Sequence, residues 1–254
     1  MRLIRLTVFI ILVVLSACSE DQPPVVDDSP TAIPPTAVPT QAVSSDQVCP
    51  DFVQDALSEV DGVCEGTGRN QACYGNTNIT ANPKTADAQI QFQQPGDIVN
   101  VAEIGSLRLE PLNLETQIWG VALLRLQANL EGTNPGQSVT FLMFGDVELE
   151  NRSPDATTNI NSFYFASGIG DAACASAPES GLIIQTPEGV GKVDLLINEV
   201  SISIGSTAYL QAEPNADMVI NVVEGQADVT SEGVTETVDA GNRTTIELDE
   251  NGIA

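Results

Sequence analysis

The sequence contains no histidine, and this absence excludes several kinds of active site. Without an imidazole there is no Ser-His-Asp or Cys-His nucleophile pair and no His-bearing zinc or non-haem iron site. Basic residues are also scarce, with 9 Lys and Arg against 35 Asp and Glu and a net charge of −26 over 254 residues. Such a chain repels phosphate backbones and anionic lipid surfaces, which excludes nucleic acid as a partner and membrane binding through a basic patch.

The amino terminus has the form of an export signal. Arg2 and Arg5 precede an apolar run over residues 6–15, which is too short to span a bilayer as a helix. Leu15-Ser16-Ala17-Cys18 follows and resembles the lipobox of bacterial lipoproteins, with a leucine three positions before the cysteine. The resemblance implies cleavage after residue 17 and attachment of lipid to Cys18. We therefore expect an exported protein, anchored by lipid in the cell membrane or an outer membrane and facing away from the cytoplasm.

Residues 18–46 are predicted to link the lipidated cysteine to the folded part of the chain. Six prolines are interleaved there with Thr, Ala and Val, and no apolar periodicity survives. Such a composition favours a disordered, extended tether, whose reach is on the order of 90 Å at about 3.1 Å per residue. Removal of residues 1–17 takes away Arg2 and Arg5, which leaves 7 basic residues against 35 acidic ones and a net charge of −28.

Four cysteines remain after Cys18, and an even number in an exported chain predicts two disulfides. No C-x2-C pair occurs among them, which argues against a zinc site. Residues 50–60 are predicted to form one short amphipathic helix with proline at its first position. Because that helix would separate its two flanking cysteines, we favour Cys49 with Cys73 and Cys64 with Cys174, although all three pairings are open on paper.

Runs of β-branched and aliphatic residues separated by Gly, Pro and Asn turns predict an all-β fold with antiparallel sheets. We expect a disulfide-stapled sandwich or jelly-roll-like domain over residues 47–180 and a second β-domain over residues 181–254. The predicted strands cover 98–104, 107–112, 119–130, 139–150, 193–204, 207–212, 218–223, 227–230, 234–238 and 244–248, and Phe163-Tyr164-Phe165 adds an aromatic strand.

Two parts of the chain resemble known groups of proteins. The segment 64–76, together with 118–122 and 135–147, is similar to uncharacterised bacterial surface lipoproteins. Residues 222–229, Val238-Asp239-Ala240-Gly241 and the strand at 205–210 resemble the FecR family, whose hallmark is a hydrophobic strand, a Glu-Gly turn, a second strand and an Ala-Gly turn. The resemblance implies an exported β-domain of a kind that relays signals from a transporter to a sigma factor. That role needs a membrane-spanning helix, and residues 18–254 contain no run of 18 apolar residues, so we do not expect direct sigma-factor regulation.

Three motifs are candidate sites. Asp146, Glu148 and Glu150 alternate with apolar residues, which predicts a solvated acidic face on one strand. Gly168-x-Gly170-x-x-Ala173 is predicted to be a turn, since Cys174 and Pro178 leave no room for a phosphate-binding helix. Ligand spacing typical of an EF-hand makes four residues weak calcium candidates, but Met218 stands where glycine is needed, so we expect no metal and no cofactor. These candidates are Glu213, Asn215, Asp217 and Glu224.

Together these features predict a non-enzymatic surface lipoprotein that binds a ligand or partner in the cell envelope. The partner is expected to be a basic protein or to be bridged by divalent cations, and to meet the sheet faces or edges of residues 181–254. The first residues for substitution are the predicted rim Glu224, Asp228, Glu232, Glu236 and Asp239. The alternatives are a secreted carboxylate-dependent hydrolase, which needs two acids and no histidine, and a purely structural envelope protein.

Overall fold

The structure is a computed structural model that describes residues 45–127, 138–154, 160–168, 177–187 and 191–254. Within these ranges the chain has one α-helix, one 3-10 turn and sixteen strands, so the predicted all-β fold is confirmed. The helix α1 spans Ser45–Val63 and the 3-10 turn spans Val101–Glu103. The strands are β1 Gln71–Asn76, β2 Ile79–Pro83, β3 Ile98–Asn100, β4 Ile104–Leu109, β5 Val121–Gln127, β6 Ser138–Phe144, β7 Val147–Asn151, β8 Ser162–Ser167, β9 Gly181–Gln185, β10 Val193–Ile197, β11 Val200–Ile204, β12 Thr207–Ala212, β13 Asp217–Glu224, β14 Gln226–Ser231, β15 Val234–Asp239 and β16 Arg243–Glu247.

The strands form two eight-stranded sheets. Sheet I has the order β16-β13-β12-β9-β6-β5-β1-β3, and sheet II has the order β15-β14-β11-β10-β8-β7-β4-β2. From β5 onward the chain alternates between the sheets: β5–β6 lie in sheet I, β7–β8 in sheet II, β9 in sheet I, β10–β11 in sheet II, β12–β13 in sheet I, β14–β15 in sheet II and β16 in sheet I. Every described strand pair is antiparallel except β8 with β10. Most strands place alternate side chains in one shared core.

Apolar side chains from the inner faces of both sheets form this core. Phe141 on β6 and Phe163 on β8 meet with ring centroids 5.7 Å apart. The backbone amide of Ala212 on β12 donates to the Ser167 hydroxyl on β8 over 2.9 Å, which joins the sheets directly. Burial of these side chains removes apolar surface from water and is the main force that holds the sheets face to face.

Strands from either side of the predicted domain boundary at 180/181 share both sheets. In sheet I, β9 pairs with β6 from Thr140↔Gln185 to Phe144↔Gly181. In sheet II, β10 pairs with β8 through Leu196↔Ser162 and Ile197↔Phe163. Residues 47–180 and 181–254 thus contribute to a single sandwich, and the structure does not separate them into two domains. The sequence did not indicate this pairing, because the strands that pair across the predicted boundary have the same local pattern as other strands of the chain.

The helix α1 is longer than predicted and covers part of the outer face of sheet I. It begins at Ser45 rather than at residue 50 and ends at Val63. Its buried side chains include Val53, Ala56 and Val60, which pack against Cys73 and Val121. Glycine at position 75 permits this contact, because a Cβ there would lie 2.8 Å from a Val60 methyl carbon. No helix among the described residues is long and apolar enough to cross a membrane.

Three predicted strands turn out to be broken. The run 98–104 divides at the 3-10 turn, the run 139–150 divides at Gly145, and the run 193–204 is the hairpin β10–β11. Asn198 and Glu199, at the tip of that hairpin, both have positive φ values of 51° and 67°. Such turns normally contain glycine, so Asn-Glu gave no turn signal in the sequence.

Asn198 has a second role, because its fully buried side chain extends the contact between β8 and β10. Its Oδ1 accepts from the Phe165 amide over 2.7 Å, and its Nδ2 donates to the Phe165 carbonyl over 2.8 Å. The side-chain amide thus replaces a missing strand partner, which satisfies two backbone groups that would otherwise be buried without hydrogen bonds.

Candidate functional site

The predicted acidic row lies on β7 and in the turn before it, and two arginines pair with its carboxylates. Glu148 and Glu150 point to solvent while Val147 and Leu149 are buried. The Arg108 guanidinium on the neighbouring β4 lies 2.5 Å from Asp146 Oδ1 and 3.6 Å from Glu148 Oε2. Since a cation already lies between these two carboxylates, their mutual repulsion is relieved without a metal ion.

Arg152 extends this network along sheet II. Its guanidinium donates to Glu150 Oε2 over 3.1 Å and lies 4.3 Å from the centre of the Tyr164 ring. The Tyr164 hydroxyl donates to Glu199 over 3.1 Å. Partial burial, and then the hydrogen bond to Glu199, raise the pKa of Tyr164 above its ordinary value. The outer face of sheet II is therefore a mixed-charge polar surface.

The weak calcium candidates do not come together. Glu213 and Asn215 lie in the turn before β13, where the Glu213 amide donates to the Asp217 carbonyl over 2.9 Å. Glu224 lies at the other end of β13, about 23 Å from Asp217 at the usual rise per residue of a strand. In the described part of the chain, no three Asp, Glu, His or Cys side chains are grouped as metal ligands. The EF-hand spacing does not bring the four side chains together, because Asp217–Glu224 is an extended strand and not a loop.

The structure divides the predicted acidic rim between the two sheets. Glu224 faces Thr207 in sheet I, whereas Asp239 accepts from Gln226 over 2.9 Å in sheet II. Glu236 projects from the other face of β15 and accepts from Thr244 of β16 over 2.6 Å, and Glu232 lies in the β14–β15 turn. The five acids therefore do not form one continuous binding face.

Asp228, the remaining member of the rim, is the most constrained of the five. It accepts hydrogen bonds from the Lys192 ammonium and, over 2.7 Å, from the Thr237 hydroxyl. The hydrogen bond from Lys192, and then that from Thr237, lower the pKa of Asp228 below its ordinary value. This carboxylate is a stabilising partner of Lys192 rather than a free ligand.

The cysteine pairing favoured from the sequence is wrong. Cys64 is bonded to Cys73, with the two Cα atoms 5.7 Å apart. Cys64 follows the last residue of α1 and Cys73 lies in β1, on which the helix packs, so helix packing brings the two together. Sequence reasoning missed this because it did not predict β1 beneath the helix. The side chain of Cys49, and all of Cys18 and Cys174, lie outside the described residues, as does the glycine motif after Gly168.

A groove on the outer face of sheet I, beside α1, is a candidate ligand site among the described residues. It consists of two adjoining cavities, of about 590 Å³ and about 320 Å³, which share Arg125 of β5. The larger cavity is mainly polar and is lined by Thr67, Gly68, Arg69, Arg125, Ser138, Thr140 and Pro187. The smaller cavity is mainly apolar and is lined by Leu57, Val60, Asp61, Cys64, Leu123, Arg125 and Leu142. We call these two cavities together the α1 groove.

Strand register and a tight turn position the two arginines of the α1 groove. Arg125 pairs with Gln71 of β1 and with Thr140 of β6, and it lies two residues from Leu123 on the same face of β5. Its Nη1 donates to the Thr67 carbonyl over 2.9 Å. The Thr67 hydroxyl in turn donates to the Cys64 carbonyl over 2.7 Å, which fixes the turn that carries Arg69.

The α1 groove was not found from the sequence. Arg69 and Arg125 are far apart in the chain and belong to no common motif, so their spacing carries no signal. The scarcity of basic residues in the chain was the one signal available, because two of the 7 basic residues left after residue 17 lie in this groove.

Comparison with known proteins gave no match: no family model, no curated protein and no solved structure is significantly similar to this chain. The site is therefore judged by its own geometry.

Proposed function

We propose that this protein is an exported, lipid-anchored and non-enzymatic module of the cell envelope that binds a ligand or partner through its β-sandwich. The order of segments carries the proposal: an export signal with Cys18, a proline-rich tether, and then one shared core that holds both sheets together. A long tether before a rigid domain suits display at a distance from the membrane. The resemblance to the FecR family supports the same kind of role.

The surroundings of the acidic residues favour binding over hydrolysis. Enzymatic glycoside hydrolysis by carboxyl groups needs one group that is kept protonated and a second group on the other side of the scissile bond. Asp146, Glu148 and Glu150 are instead paired with arginines, and Asp228 has a lowered pKa beside Lys192. Carboxylates that are paired with cations in this way suit a solvated or partner-facing surface.

The edge strand β15 is the surface proposed for a protein partner. It forms one edge of sheet II, and five of its six side chains are exposed, including Val234 at 71%. An exposed edge offers backbone N–H and C=O groups to another strand. Glu236 and Asp239 on the same strand favour a basic partner, whose binding should weaken as salt screens these charges.

A pull-down from envelope extract tests this proposal with the mature chain and two double variants. Glu236→Gln with Asp239→Asn neutralises β15, while Glu148→Gln with Glu150→Gln removes the same number of charges from β7 as the control. We expect the unsubstituted chain and the β7 variant to recover the same basic protein in a salt-sensitive way, and the β15 variant to recover less. Equal recovery by all three refutes the β15 surface, and hydrolysis of a glycan panel supports the enzymatic alternative.

A further inference from the structure

We infer that the α1 groove binds a small organic carboxylate with an apolar body, its carboxylate held by Arg69 and Arg125 and its apolar part lying against α1. This inference deepens the proposed function by naming the site and the class of ligand. It stands on the composition of the groove, on the position of its charges and on its size.

The chemical character of the groove changes along its length. The end that holds Arg69 is mainly polar and includes the hydroxyls of Ser138 and Thr140, which can donate to an anion. The end under α1 is mainly apolar and includes Leu123 and Leu142 from neighbouring strands. Arg125 lies where the two ends meet. A ligand that matches both ends has a charged head and an apolar body.

The sign of the ligand's charge follows from the two arginines. A chain with a net charge of −28 after residue 17 attracts cations over most of its surface, so two arginines in one groove form a local exception. A planar guanidinium matches the geometry of a carboxylate and binds it more strongly than a neutral donor does. Partial enclosure of Arg125 by the groove strengthens this attraction compared with that of an exposed arginine.

One acidic residue limits the ligand to a low negative charge. Asp61 of α1 lines the apolar end, so among the described lining residues the charged ones are two arginines and one aspartate. A monocarboxylate fits this balance better than a phosphate or a dicarboxylate, because Asp61 and the surrounding protein repel a second negative charge.

The size and apolar contacts of the groove suit a small molecule. Its two cavities, of about 590 and 320 Å³, fall within the usual range for small-molecule sites, roughly 300–1,000 Å³. Leu57 of α1 is 38% exposed at the apolar end, and an aliphatic chain lying there would bury part of it. Burial of this surface supplies the driving force for binding the body of the ligand.

Titration of the purified mature chain with decanoate, followed by calorimetry and by NMR chemical shifts, tests the inference. Acetate supplies the charged head alone, and decan-1-ol supplies the apolar body alone. We expect saturable decanoate binding that exceeds the binding of both other probes, with shifts at Arg125 and Leu142. Equal binding of decan-1-ol and decanoate, or no binding of decanoate, overturns the inference.

Variants identify the groups that hold the head. Arg69→Met removes an exposed side chain, so we expect this variant to fold normally. Its affinity for decanoate should fall about tenfold, because a charge-assisted hydrogen bond to the carboxylate is lost. Arg125→Met should have at least as large an effect, and Asp61→Asn should strengthen binding. Arg243→Met, an exposed arginine on β16 outside the groove, is the control. Unchanged affinity in Arg69→Met and Arg125→Met contradicts the assignment.

The titration uses purified protein without a membrane, so an absence of decanoate binding would contradict the groove assignment but not the proposed anchoring or the β15 surface. A failure of lipid attachment likewise leaves the groove assignment intact.

Discussion

At the residue scale, the few basic side chains organise a very acidic protein. Arg108, Arg152 and Lys192 each bind a carboxylate on sheet II, and Lys84 donates to the Ser153 carbonyl over 2.6 Å. The sequence predicted the exposed acids of β7 correctly because alternation along a strand determines which side chains face solvent. The partners of these acids lie on other strands, so strand alternation could not identify them.

Asp228 links one of these ion pairs to pH. Because its folded-state pKa is lowered, the ionised form stabilises the folded protein above the ordinary pKa of about 3.9, and this contribution is lost as pH falls through the lowered value. Asp228→Asn should therefore lower the free energy of unfolding at pH 7 and have a smaller effect near pH 2.5, as measured by urea unfolding. Asp194→Asn, an exposed neighbour on the same face, is the control. A loss of equal size at both pH values contradicts this role.

At the element scale, local pattern predicted the type of structure better than its connections. Most strand runs were recognised, since their β-branched residues alternate between core and solvent. The alternation of hairpins between sheets was not predicted, because a turn signal such as Glu224-Gly225 is the same whether the chain returns in one sheet or crosses to the other. In the structure Gly225 carries the chain from β13 in sheet I to β14 in sheet II.

This crossing should be sensitive to a single methyl group. Gly225 has a φ of 68°, and a Cβ there would lie 2.4 Å from the Ser206 Cβ. Gly225→Ala should cost about 2–4 kcal/mol through backbone strain and overpacking together. Gly233→Ala has a similar φ of 79° but meets nothing within 4 Å, so it should cost only about 1 kcal/mol. If denaturant unfolding shows that the two variants lose the same unfolding free energy, the contact with Ser206 is unimportant.

The disulfide between α1 and β1 should stabilise the helix on sheet I. Cys64 and Cys73 are 9 residues apart, and a loop of that size predicts a contribution of about 2.5 kcal/mol from reduced entropy of the unfolded chain. The double variant Cys64→Ser with Cys73→Ser should lose about this much stability in urea. Peptide mapping without reduction should recover the two cysteines in one linked pair, and a Cys64–Cys174 peptide instead would contradict the structure.

At the scale of the whole molecule, the sandwich is assembled from both halves of the predicted division. Composition predicts a tether ahead of the folded region, because a proline-rich segment cannot bury enough surface to fold, and residues 18–44 lie outside the described part of the chain. The pairing of β6 with β9 and of β8 with β10 could not be predicted, since long-range strand order depends on packing that no local pattern records. The α1 groove depends on the same long-range order and was missed for the same reason.

A fragment of residues 181–254 should therefore fail to fold alone. It would lose β6, the partner of β9, and β8, the partner of β10, and would expose core side chains that the first part of the chain covers. We expect it to aggregate or to give an NMR spectrum without dispersion, whereas the mature chain gives a dispersed one. A cooperatively unfolding, monomeric fragment would show that the carboxyl-terminal strands form an independent domain after all.

We propose that Cys18 anchors this sandwich to a membrane, and metabolic labelling with an alkyne fatty acid in a bacterial host tests this anchoring most directly. We expect label on the unsubstituted protein and on a Cys49→Ser control. It also predicts that Cys18→Ser carries no label, keeps residues 1–17 and is not processed as a lipoprotein. Label of equal strength on Cys18→Ser, or its absence from the unsubstituted protein, would contradict the account.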